Sequence, residues 1–120
     1  MLGPKRYDLE DRTFTFAHDV RTFIKMLPRT LTNIEDARQL PRASGSVGAN
    51  YIEANESLSK RDLIMRAKIC RKEAKESRYW LRLVDTGEDS AVSTERDDLV
   101  QEAIELTSTF GAILRKTVSK

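Results

Sequence analysis

The chain is predicted to be all-α, a single up-down-up-down antiparallel four-helix bundle. Three observations predict this. First, apolar residues recur at steps of three and four along four separate segments, the spacing that gathers them on one face of a helix. Second, the segments are joined by short stretches carrying Pro, Gly, Ser and Asp, and short connections make consecutive helices antiparallel neighbours. Third, no segment alternates apolar with polar residues, and no Asn-Gly turn joins two such segments, so strands have no support. With 120 residues the chain is one domain. Residues 1–12 are predicted to be a loose N-terminal arm and residues 13–120 the bundle.

The first helix is predicted to run from near Thr13, or just before it, to Leu27. Phe16, Val20, Phe23 and Leu27 step by four, three and four, and Phe14, Ala17 and Ile24 widen the face. Pro28 then bars continuation, and the residue before a proline disfavours helix. Thr32 to Glu35 reads as a capping box opening the second helix, with Ile34, Ala37 and Leu40 on its inner face. Pro41 removes a backbone donor inside that pattern, so a kink or break is expected there. Beyond it, RASGSVGANYIEAN is either a loop or a helix whose small residues let a neighbouring backbone come close. The helical spacing of Val47, Tyr51 and Ala54 favours the helix. Each mid-helix glycine costs about 0.5–1 kcal/mol against alanine, which close packing must offset.

The third helix, opened by Ser59 and Asp62 and ending near Asp85 with Gly87 as C-cap, organises the rest. Leu63, Ala67, Cys70, Ala74, Ser77, Leu81 and Val84 form a packing seam along it. On a different face Arg61, Lys68, Lys75 and Arg82 recur every seven residues, flanked by Arg71 and Lys72. The segment EDSAVSTE reads as the last loop, and Ser93 or Thr94 as the cap of the fourth helix, with Glu95, Asp97 and Asp98 in its first turn. Leu99, Ala103, Leu106, Phe110, Ile113 and Thr117 make one seam of that helix. Val100, Ile104, Thr107, Gly111, Leu114 and Val118 make a second, so the face is wide enough for two partner helices.

Charge is balanced in total and uneven in place. The net formal charge is +2, but residues 60–82 carry nine Lys and Arg against three Asp and Glu, while residues 83–120 carry four against eight. One basic helix therefore sits beside one acidic helix, which pairs the two or leaves an anion-binding face.

Three segments carry a family resemblance: PRTLTNIE at 28–35, GSVGANYIEANE at 45–56 and KICRKEAKESRYWLRL at 68–83. Together they resemble the bacterial four-helix-bundle proteins named for the 23S rRNA intervening sequence, over roughly Phe14 to Val118. The resemblance implies a bundle that assembles into a ring, a homopentamer, and by itself implies no biochemical role. A set related to that family, the accessory proteins of diversity-generating retroelements, shares the bundle and the pentamer. Those proteins work with a reverse transcriptase and bind nucleic acid through basic surfaces.

Catalytic chemistry finds little to work with. His18 is the one histidine and Cys70 the one cysteine. A nucleophile–base pair would have to run through His18, zinc lacks ligands, and the Glu-x-x-His motifs of a di-iron bundle do not occur. No phosphate loop ending in Gly-Lys-Ser/Thr is present, and the Gly45 to Gly48 spacing is better read as small residues for tight helix packing. The expectation is a protein without catalytic residues, metal or cofactor. Cys70 lies in the seam as a small core residue, and a lone cysteine fits a reducing cytoplasm. No apolar stretch approaches the roughly 20 residues that cross a bilayer, so no membrane partner is expected.

The stripe of Arg61, Lys68, Lys75 and Arg82, about 10 Å apart at 1.5 Å rise per residue, is the feature with functional reach. With Arg71 and Lys72 it is a candidate phosphate-binding row for RNA or DNA. The competing reading is a solvated face, partly neutralised by Lys72 with Glu76. Asn50, Glu53 and Arg78 are a candidate polar link between the second and third helices that would fix register. Tyr79 and Trp80 are adjacent, so they face different ways, and one of them is a candidate anchor in an interface between copies or simply packs within the chain. Two functions follow: a non-enzymatic ring-forming bundle that binds structured RNA or DNA through the third helix, or a scaffold for a protein partner, such as a helper of a reverse transcriptase.

Overall fold

The computed structural model describes residues 8–119, and the expected arm over residues 1–7 lies outside them. Four helices follow in order: α1 Leu9–Ile24, α2 Leu31–Asn55, α3 Lys60–Leu83 and α4 Ser90–Val118. Each packs on its neighbours in sequence, and α4 closes back on α1, while α1 with α3 and α2 with α4 lie across the diagonals. This is the expected antiparallel four-helix bundle. The closing α1–α4 contact is the smallest of the four, and the extents of 49 × 34 × 19 Å make the cross-section flattened rather than square.

The core is a layer of large side chains from α1, α2 and α4 set against small ones from α3. Phe16, Val20 and Phe23 of α1, Leu40 and Val47 of α2, and Leu106 and Phe110 of α4 are all but inaccessible. Facing them, α3 presents Ala67, Cys70, Ala74, Ser77 and Leu81, also buried. Small residues along one helix let its neighbours approach, so α3 makes the two largest contacts in the bundle, with α2 and α4.

The helix ends differ from expectation in instructive ways. α1 starts at Leu9, not near Thr13, because the Asp8 carboxylate caps it by accepting from the Asp11 backbone N–H at 3.0 Å. Residues 9–12, expected in the arm, are thus its first turn. It also stops at Ile24, three residues before Leu27, and the chain leaves through two tighter turns, Met26 N–H to Phe23 O and Leu27 N–H to Ile24 O. Thr32 is not a cap. Thr30 caps α2 instead, accepting from Asn33 N–H at 3.1 Å, and the capping box does not form.

Pro41 neither ends nor divides α2, which runs unbroken to Asn55. The proline carbonyl accepts from Arg21 Nη2 of α1 at 3.3 Å, and Ser44 Oγ returns a hydrogen bond to Leu40 O at 2.7 Å. The helix reading of the small-residue segment is the one the structure adopts. A Cβ added at Gly48 would lie 2.9 Å from Thr13 Oγ1 of α1, so the glycine is what allows that approach.

Ser59 caps α3 as expected, accepting from Asp62 N–H at 3.1 Å. Its end is at Leu83, with Val84 as an extended C-cap, so Gly87 is no C-cap. Its φ of +69° serves the following turn, where Gly87 N–H donates to Asp85 Oδ1 at 2.9 Å. The last loop is shorter than EDSAVSTE suggests. Asp89, rather than Ser93 or Thr94, caps α4 by accepting from Ala91 N–H and Val92 N–H, and 90–95 are helical.

Two polar ties close the bundle. The buried Asn33 side chain donates to Pro28 O (2.9 Å) and Asp85 O (2.8 Å) and accepts from Asp85 N–H (2.9 Å). One amide thereby locks the α1–α2 connection to the α3–α4 connection. Near the other end, Arg12 of α1 grips Glu102 of α4 with two hydrogen bonds, 2.7 and 2.9 Å, and reaches Glu105 at 3.0 Å. The bond to Glu102 foremost holds the guanidinium still more firmly protonated than usual.

Candidate nucleic-acid interface

The seam of α3 fixes what its other side shows. With the small residues turned inward, Arg61, Lys68, Lys75 and Arg82 fall on the outer face, and all four are exposed, as are Arg71 and Lys72. Lys68, Arg71, Lys72 and Lys75 line an open depression of about 410 Å³ together with Glu76 and Tyr79. The expected Lys72–Glu76 pair is not made. Lys72 lies instead 3.5 Å from Glu73, a half-buried neighbour. Among the described residues Arg61, Lys68, Arg71, Lys75 and Arg82 join no ion pair. The face is therefore a row of solvated cations available to an anion.

Tyr79 belongs to this depression, with 56% of its surface exposed. Trp80, next in sequence, turns inward and packs partly buried against the core. The two rings meet edge to face, 5.1 Å between centroids at 80°. The expected divergence of the pair is observed, and it puts the tyrosine among the cations.

The polar link between α2 and α3 uses a different partner from the one expected. Asn50 Oδ1 accepts from Arg66 Nη1 at 2.9 Å, and its amide donates to Ser46 O and Ser46 Oγ. Arg78 and Glu53 are both exposed and are not joined. Arg66 is level with Asn50 in the antiparallel pair, where Val47 meets Cys70, whereas Arg78 lies twelve residues further along α3, about 18 Å away along the axis.

A second depression, about 580 Å³, lies between α1 and α2, lined by Phe14, His18, Gly45, Gly48 and Ile52 among others. Phe14 is 67% exposed and stacks on His18 at 6.2 Å between ring centroids. His18 Nδ1 is 3.7 Å from Asp19 Oδ1 and is exposed. Cys70 is far from any such arrangement: its thiol is buried, donates to Val47 O at 3.3 Å, and is pushed up to about 12 by that burial. Among the described residues no group of three or more His, Cys, Asp or Glu is placed to hold a metal ion. Among the described residues no helix is long and apolar enough to cross a membrane.

Asn33 and Arg12 are the residues that sequence reasoning missed. Asn33 sat inside a supposed capping box, and Arg12 in a segment without apolar periodicity. Their partners are 52 and 90 residues away, so no local spacing announces them.

A family model described as 23S rRNA-intervening sequence protein matches residues 5–111. The fold is similar to a crystal structure from Bacteroides thetaiotaomicron VPI-5482, of a protein with unknown function from the S23 ribosomal protein family. The TM-score is 0.72 at 25% identity, covering 88% of this chain and 96% of that one. Among curated proteins none matches the chain.

Proposed function

The chain belongs to the 23S rRNA-intervening sequence protein family, and from that premise we propose that it is a non-enzymatic, ring-forming protein that binds structured RNA or DNA through the outer face of α3. One observation carries this reading: four exposed cations of α3, Lys68, Arg71, Lys72 and Lys75, line one open depression, and of these only Lys72, beside Glu73, joins an ion pair among the described residues. Such a row attracts phosphates by releasing their counterions, with no sequence preference. The ring is a homopentamer, as the resemblance implies, acting in the cytoplasm. Repeating the stripe around a ring multiplies weak contacts into useful affinity.

The exposure of Tyr79 supports a second reading, since aromatic residues at the centre of a surface patch often hold a protein partner. On that reading the same face docks an acidic protein surface, and the chain is a scaffold, for example a helper of a reverse transcriptase.

The test is binding of a folded RNA to the purified protein over a salt series, beside Lys68→Glu/Lys75→Glu, with the mass of both samples from light scattering. The nucleic-acid reading expects affinity that falls steeply with salt and is lost in the variant at unchanged mass. Absence of binding at low salt from an intact oligomer would leave the scaffold reading in its place. A monomer under all conditions would remove the ring.

A further inference from the structure

We infer that the α3 site takes an unpaired nucleobase, stacked on the exposed ring of Tyr79, with the adjoining phosphates against Lys68, Lys72 and Lys75. This rests on the nucleic-acid reading of α3 and narrows it from structured RNA or DNA to an unpaired segment of such a molecule.

Three observations bring the ring into the site. Tyr79 follows Lys75, Lys72 and Lys68 by four, seven and eleven residues, which are close to one, two and three turns of helix. It therefore lies on the same line as the cations, about 6 Å along the axis from Lys75 and about 10 Å from Lys72. It lines the same depression as they do. And it is steadied from behind: Trp80, held against the core, meets the Tyr79 ring edge to face at 5.1 Å. An aromatic ring that is exposed yet buttressed loses little freedom when something stacks on it.

What such a ring can select follows from nucleic-acid geometry. A duplex offers phosphates to a basic row but keeps its bases stacked on one another, so an exposed ring adds nothing to its binding. An unpaired segment offers both phosphates and free base faces, and aromatic side chains beside cations bind it by stacking, tolerant of sequence. Trp80 cannot play this part, because its ring is turned to the core.

The experiment compares a short single-stranded RNA with the duplex of the same sequence, by fluorescence anisotropy, on the whole protein. Wild type, Tyr79→Ala, Tyr79→Phe and Lys68→Glu/Lys75→Glu are measured, with the mass of each by light scattering. The expected result is tighter binding of the single strand than of the duplex. Tyr79→Ala weakens the single strand about tenfold, within the range found for one stacked base, while duplex affinity and the salt slope stay as they were. Tyr79→Phe, which keeps the ring, binds as wild type does. If Tyr79→Ala leaves single-strand binding unchanged while Lys68→Glu/Lys75→Glu abolishes it, stacking is overturned and the cation row stands. If Tyr79→Ala lowers the mass of the assembly, the ring is a contact between copies and the inference fails. If wild type binds neither form at low salt, both this inference and the reading beneath it fail.

Discussion

The inner and outer faces of α3 are built from one continuous stretch and obey opposite rules. The inner face is selected by size: Ala67, Cys70, Ala74 and Ser77 are buried so that α2 and α4 can approach. The outer face is selected by charge: Arg61, Lys68, Lys75 and Arg82 are exposed and rest on nothing. Residues of the first kind are coupled to the whole bundle, and residues of the second kind to solvent. The difference teaches where this protein can carry a function at no cost to its fold. Stability is concentrated on one side of the helix, which leaves the other free to be shaped by a partner.

That contrast can be broken most forcefully from inside. Leu81 is the largest side chain on the buried seam of α3 and is fully enclosed. Leu81→Ala is expected to lower unfolding stability by roughly 2–5 kcal/mol in denaturant titration, through lost burial and the cavity left behind. A loss below 0.5 kcal/mol would mean that the seam is not the packed face described.

A smaller effect is expected at the end of the seam. Asn33→Ala leaves the backbone N–H and C=O of Asp85 without their side-chain partner, while the Pro28 carbonyl keeps its bond from Thr30 N–H. Losing these part-buried bonds is expected to cost about 1 kcal/mol, and hydrogen exchange at the two connections should quicken together, since one amide ties both. Quickening at only one of them would show that the amide does not couple them.

The smallest effect on stability is expected outside. Lys68→Glu/Lys75→Glu should unfold within about 0.5 kcal/mol of wild type, because exposed substitutions away from packed groups rarely matter more. A larger loss would make the stripe a structural feature and blur the line between the two faces.

The same contrast explains what could be read from residue order. The seam and stripe of α3 were legible because both repeat at helical spacing within one helix, and the cap at Ser59 is a local event three residues wide. The small-residue segment after Pro41 was legible as helix for the same reason. Local competition hid the other boundaries. Thr30 and Thr32 are both plausible caps, as are Asp89, Ser93 and Thr94, and only the path of the connecting chain decides between them. Pro41 did not break α2, which continues through it, and its carbonyl meets Arg21 of α1. The candidate link from Glu53 to Arg78 failed on height: α2 and α3 run antiparallel, with Asn50 meeting Arg66 and Val47 meeting Cys70, so Arg78 lies about 20 Å further along α3 than Glu53 can reach. Arg66, level with Asn50, makes the link instead. Tyr79 was legible as an aromatic leaving the seam, but its place among the cations required the depression itself.

The most direct measurement is to irradiate the protein with bound RNA and identify the crosslinked peptides by mass spectrometry. The account predicts crosslinks confined to the stretch Lys68–Tyr79 on the outer face of α3, lost in Lys68→Glu/Lys75→Glu. Crosslinks concentrated instead in the groove of Phe14 and Ile52 between α1 and α2, and kept in that variant, would contradict it.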